Sequence, residues 1–195
     1  MEFFSKINWI DIFIILLIAR SFVVGIKRGI AVEVFKFLGT VASIFVSLQY
    51  YIKLAGILKV YLPLNIELVE DFCFLILAVV SYLAFVLLRN LFLLIFKFET
   101  VTVIEKILGF IIGFFRGVLF SSLILVFFVL INNSYLYKSI NKSLMGNNIL
   151  AVSGETYNFV FEKIAKNILP QQEKNNYEKF SIKKGEKWNY LKFMN

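Results

Sequence analysis

In 195 residues the chain holds 59% hydrophobic residues, 23 of them phenylalanine, at a mean hydropathy of +0.80. Soluble domains carry roughly 45–50% apolar residues, so this is a membrane composition, and the formal net charge of +8 reads as topology signal and contact with anionic headgroups rather than as a nucleic-acid footprint. With no histidine and one cysteine (Cys73, in an apolar run), Ser-His and Cys-His catalysis, an intrachain disulfide and a cysteine metal cluster all drop out, and no cofactor or metal is expected.

The first nine residues could pass for the charged region of a signal peptide. The apolar run behind them ends in Gly25-Ile26-Lys27-Arg28-Gly29 without a small-residue cleavage site, so it reads as a retained first span over about 10–26. Trp9 is an interfacial anchor, Asp11 sits near the mouth where it can stay hydrated, and Arg20 interrupts the span. Lys27 and Arg28 make a very short connection to a second span at about 29–52, with Glu33 and Lys36 in its first two turns. If the two spans form a hairpin turning near 26–27, Arg20 and Glu33 fall at equal depth and can pair, because a buried charge needs a partner. The competing arrangement lets Arg20 snorkel to the interface and pairs Glu33 with Lys36 along its own helix.

Residues 53–71 read as a loop. Its acidic trio, Glu67, Glu70 and Asp71, fits a solvated helix start better than a cation or acid–base site. A third span follows at about 72–88, closed by Arg89-Asn90, and then a further apolar run to 96. Thr102 and Glu105 have the spacing of a capping box and predict a new helix. A straight helix over 103–131 would reach roughly 43 Å against a hydrocarbon core of about 30 Å. The excess predicts an interfacial lead-in or kink over 102–116 and a fourth span at about 117–131. Gly109, Gly113, Gly117 and Ser121 form a four-residue ladder that predicts a close helix–helix seam flanked by Arg116.

Beyond the membrane domain (1–131), the Ser/Asn/Lys-rich stretch 134–148 reads as loop or broken helix. Tyr157, Val160, Phe161, Ile164 and Ile168 then predict an amphipathic helix over about 154–169, stopped by Pro170, which completes a polar segment 132–170. The basic stretch 171–195 lacks periodicity and reads as a disordered tail. The fold class is therefore all-α membrane protein, with four transmembrane helices and a C-terminal amphipathic helix. Lys27, Arg28, Arg89, Lys97 and Lys106 balance Lys6, Lys53, Lys59, Lys138 and Lys142 across this arrangement. Arg20, Lys36 and Arg116 tip the balance and place both termini outside the cytoplasm.

Asn8-Trp9-x-Asp11, Gly25-x-x-Arg28-Gly29 and Glu105-x-x-Leu108-Gly109-x-x-x-Gly113-x-x-Arg116-Gly117 together resemble the CvpA (colicin V production protein) family over about 8–165. Aspartate is more usual in that family where Glu105 stands, and the lysine-rich tail lies outside its core. The resemblance implies a four-span protein of the bacterial cytoplasmic membrane, linked to colicin V production, toxin biosynthesis or export and envelope maintenance. It supplies no catalytic residue.

Two functions compete. One is a non-catalytic scaffold or anchor for an unidentified membrane or envelope partner. The other is a small channel or transporter component that lines a polar path with Arg20, Glu33, Lys36 and Arg116, and that calls for a homo-oligomer. An enzyme built on Ser121 or Ser122 with a lysine is the weakest reading, since no nucleophile motif surrounds them. Arg28 and Arg116 also offer bidentate donors to anionic lipid phosphate.

Overall fold

The computed structural model describes residues 8–61, 63–95, 102–131, 133–168 and 174. The expectations for Lys6, Lys97, Pro170 and the tail lie outside them, Lys174 apart. The described residues form helices joined by short turns: α1 (Trp9–Lys59), α2 (Ile66–Ile95), α3 (Val103–Leu130), α4 (Ser134–Lys142), α5 (Gly146–Val160), a π-helical turn (Phe161–Ala165) and a last short piece, α6 (Lys166–Ile168). The first three are long and apolar enough to cross a membrane.

At 51 residues α1 would extend about 75 Å if straight, more than twice a bilayer core. It is broken at Gly29, whose φ of 74° and ψ of 174° lie outside the helical region and are open to glycine alone among unstrained residues. The break reverses the chain. Along the first limb (9–28), Gly25 meets Gly109, Ser21 meets Gly113 and Ile18 meets Gly117, so this limb runs antiparallel to α3. Along the second limb (30–59), Glu33 meets Arg116, and Thr40 and Ser43 share a cleft with Phe120 and Leu123, so this limb runs alongside α3 in the same direction. α2 packs against the second limb, with the Phe35 and Phe92 rings 5.1 Å apart at one end and the Tyr51 and Phe74 rings edge-on at the other.

Several boundaries move. The reversal falls at Gly29 instead of 26–27. Most of the expected 53–71 loop is helix, because the second limb runs on to Lys59 and α2 starts at Ile66, with Glu67 in its first turn. The Thr102–Glu105 capping box is formed in both directions: the Thr102 amide donates to Glu105 Oε2 (2.8 Å), and the Glu105 amide donates to Thr102 Oγ1 (3.3 Å). No kink follows it. α3 carries the whole glycine ladder unbroken, because the ladder is a packing face and the length mismatch is left to the helix ends.

The region after α3 is a helical corner. α4 and α5 meet at a turn over 143–145, and α5 lies against α3, where Ser122 Oγ and Ser153 Oγ are 2.5 Å apart and the Ser153 amide donates to Ser122 Oγ at 2.8 Å. The Tyr157 hydroxyl donates to Gln49 Oε1, tying α5 to the second limb as well. Tyr157, Val160 and Phe161 are buried as the spacing predicts, whereas Ile164 and Ile168 are exposed. The π turn is the reason: its wider winding moves the register by one residue and puts Ala165 in the buried place expected for Ile164.

Asp11 is the second correction at this end. It is not hydrated but 3% exposed, sealed under the α4–α5 turn. Oδ1 accepts from Ser143 Oγ (2.6 Å) and the Met145 amide (3.0 Å), while Oδ2 accepts from the Asn8 amide (2.9 Å) and the Leu144 amide (3.3 Å). Asn8 Nδ2 donates to the Ser139 carbonyl at 2.6 Å, and the Trp9 ring stacks on Tyr135. One carboxylate thus caps α1 and anchors the corner. Asp11→Ala should cost about 2–3 kcal/mol, the upper range for bonds to a charged group. Limited proteolysis is expected to cut the variant within 143–146 while the wild type resists. Equal resistance would show that the corner holds without this carboxylate.

Candidate functional site

Glu33 is fully buried on the second limb, one turn past the reversal. Oε1 accepts from Lys36 Nζ at 2.6 Å, and Oε2 lies 3.1 Å from Arg116 Nε on α3. The second contact is an ion pair whose N–H is not aimed at the oxygen, so it acts through charge more than through a directed bond. Arg116 also points Nη2 toward the Ser21 carbonyl at 3.5 Å, so it reaches both limbs.

The Arg20–Glu33 pair is therefore not formed. Turning the chain at Gly29 sets Glu33 level with Gly25 and leaves Arg20 further along the first limb, while the arginine of α3 is delivered beside the carboxylate. The Glu33–Lys36 alternative is realised, with Arg116 added.

Arg20 instead lines a cavity of about 310 Å3 where the first limb, the second limb, α2 and α3 come together. Arg28, Lys36, Arg89 and Arg116 share its wall, with Thr40 and Tyr82 as neutral polar members. Arg20 and Arg28 are exposed on the helix surface, and Arg89 donates to the side chain of its neighbour, Asn90. Among the described residues both ion pairs fall on Glu33. Five cations thus surround a space backed by one carboxylate, and like charges at such proximity are costly until an anion enters.

The glycines fix how near these charges come. A methyl added at Gly109 would sit 2.5 Å from the Gly25 carbonyl oxygen, and one at Gly113 would sit 2.9 Å from the Ser21 carbonyl oxygen. The first limb and α3 touch backbone to backbone, which holds Arg20 and Arg116 on one cavity. Gly117 lies on the same seam, with Ile18 Cα 3.0 Å from its added methyl. Glu105 takes no part in the cavity and is spent on the helix cap.

Thr40, Tyr82 and Arg89 were missed as cavity residues. A signal existed for Thr40: Glu33, Lys36, Thr40, Ser43 and Ser47 recur at alternating three- and four-residue intervals, a polar stripe down one face of an apolar helix, and all five are buried. Ser43 Oγ uses that face to donate across to the Ala78 carbonyl of α2 at 2.9 Å.

The sequence pattern described as Colicin V production protein matches residues 10–153, from the Asp11 anchor through the glycine seam to Ser153 on α5. The chain belongs to the Colicin V production protein family. The matched region includes every residue of the cationic cavity, and Asp11, Ser143, Leu144 and Met145 of the corner, whereas Asn8 and Trp9 lie just before it. No curated protein and no solved structure matches the chain.

Proposed function

We propose that this family member is a four-crossing protein of the bacterial cytoplasmic membrane that acts as a non-catalytic scaffold or anchor in toxin production or export, or in envelope maintenance. The reversal at Gly29 supports the four crossings, since it divides α1 into two limbs of membrane-spanning length beside α2 and α3. Arg20, Lys27, Arg28, Arg89 and Lys106 gather at the reversal end, which makes that end cytoplasmic and puts Asn8 and the α4–α5 corner outside.

The scaffold role rests on one observation: the buried polar groups bind elements together. Asp11 holds the corner, Ser122 and Ser153 hold α5, and Glu33 joins the second limb to α3. Such a molecule presents one fixed surface to an envelope or membrane partner.

The cationic cavity favours a second reading, an anion path completed by self-association. Small-anion flux through the purified protein in liposomes separates the two. Insertion is verified by labelling Lys27→Cys and Lys59→Cys, which should react from opposite sides of the bilayer. Inserted protein without flux is the expected result. Flux that Arg28→Ala and Arg116→Ala abolish would replace the scaffold with a channel.

A further inference from the structure

The cationic cavity does not end at its charged wall. Thr40, Tyr82 and Phe120 belong also to a second space of about 310 Å3, whose remaining lining is apolar except for Ser43. Leu75, Val79 and Leu83 of α2 form one side of it, Leu123 and Phe127 of α3 the other. The two spaces share these three side chains, so a charged space and a hydrocarbon-like one lie next to each other, and we treat the pair as one groove flanked by α2 and α3.

The groove exists because α2 leans on the second limb and not on α3. Gly39 takes Phe85 at close range, a methyl there falling 2.9 Å from Phe85 Cβ, yet beyond Ala78 no residue of α2 is buried. Leu75, Val79 and Leu83 remain 41%, 48% and 50% exposed. The apolar half is therefore open on its side between two membrane-length helices, the side that meets lipid in the embedding proposed above.

We propose that this groove is a binding site for an anionic glycerophospholipid, with the phosphate among Arg20, Arg28 and Arg89 and an acyl chain laid along Val79, Leu83 and Leu123. The inference rests on the membrane embedding proposed above and not on the scaffold role. Charge complementarity selects the occupant: the arginine guanidiniums offer planar paired donors that match phosphate oxygens, and Glu33, the carboxylate beside them among the described residues, is already engaged by Lys36 and Arg116. The apolar half distinguishes a lipid from a free anion. It contributes fit and not selectivity, since a lipid tail is as well solvated by its neighbours as by these side chains. Selectivity therefore resides in the headgroup.

Native mass spectrometry of the detergent-purified full chain, offered phosphatidylglycerol and phosphatidylcholine at equal mole fraction, tests this directly. One phosphatidylglycerol should be retained with a preference of about tenfold, a difference of about 1.4 kcal/mol. Arg20→Gln with Arg28→Gln should bring the two lipids to parity; both residues are exposed and outside the Glu33 ion pairs, so the fold is left intact. Val79→Trp, which fills the apolar half from a half-exposed position, should lose retention of both lipids. Lys53→Gln with Lys59→Gln removes equal charge from the other end of the molecule and should keep the preference.

Equal retention of both lipids by the wild type would overturn the proposal. So would parity in the Lys53/Lys59 variant, which would reduce the effect to net charge. Full competition by inorganic phosphate with Val79→Trp silent would make the site one for soluble anions, and also overturns the lipid assignment. The labelling at Lys27→Cys and Lys59→Cys reports membrane insertion separately, so its failure is not confused with failure of lipid binding.

Discussion

Glu33→Ala is expected to cost about 3–5 kcal/mol, the range for removing one partner of a buried ion pair, because Lys36 and Arg116 are then left as uncompensated buried cations. The loss arises from desolvation more than from the missing attraction. Each cation gave up hydration to reach the carboxylate, and without it the two repel across the vacated space. A second substitution set makes the cause visible. Glu33→Leu combined with Lys36→Met and Arg116→Met removes every member of the cluster, and should recover most of the stability in reversible unfolding in mixed micelles, since an apolar replacement of a buried charge set is often neutral or better. If Glu33→Ala unfolds within about 1 kcal/mol of the wild type, the cations reach water and the cluster is not the internal joint described here.

Gly109→Ala carries the other large effect. The added methyl meets the Gly25 carbonyl oxygen at 2.5 Å and Gly29 carbonyl carbon at 3.1 Å, both backbone atoms that cannot rotate aside. The first limb and α3 must separate, and the cost should reach the upper end of overpacking penalties, on the order of 3 kcal/mol. Gly56→Ala supplies the matched comparison. Nothing lies within 4 Å of its added methyl, and it sits in a helix where alanine is preferred, so it should stabilise by up to about 1 kcal/mol. One chemical change with opposite signs at two glycines can be read from paired unfolding curves. Matching signs would mean that the seam yields without cost.

How much of this was legible depended on the range of the interactions. The Thr102–Glu105 cap and the glycine ladder could be read because their partners lie three or four residues away, or because small residues advertise a close approach whatever the partner is. Glu33 could be recognised as needing a cation, but its partner on α3 follows from packing three segments together, and a hairpin considered alone nominates Arg20. Asp11 escaped for the same reason: its acceptor sites are filled by Ser143, Leu144 and Met145, over 130 residues downstream. The groove was the least legible feature. It depends on α2 leaning on the second limb and standing off α3, and no local pattern encodes a gap.

The Asp11 corner also orders the life of the chain in time. The residue that closes α1 leaves the ribosome over 130 residues before the turn that covers it, which is made only after α3 has been synthesised. Until then the carboxylate, with the amides of Asn8 and its neighbours, must be served by water or headgroups at the membrane surface. Completion of α1 is thus deferred until all three membrane-length helices have been made. A product that stops at α3 leaves the Asp11 carboxylate uncovered, and the α4–α5 turn supplies the closure.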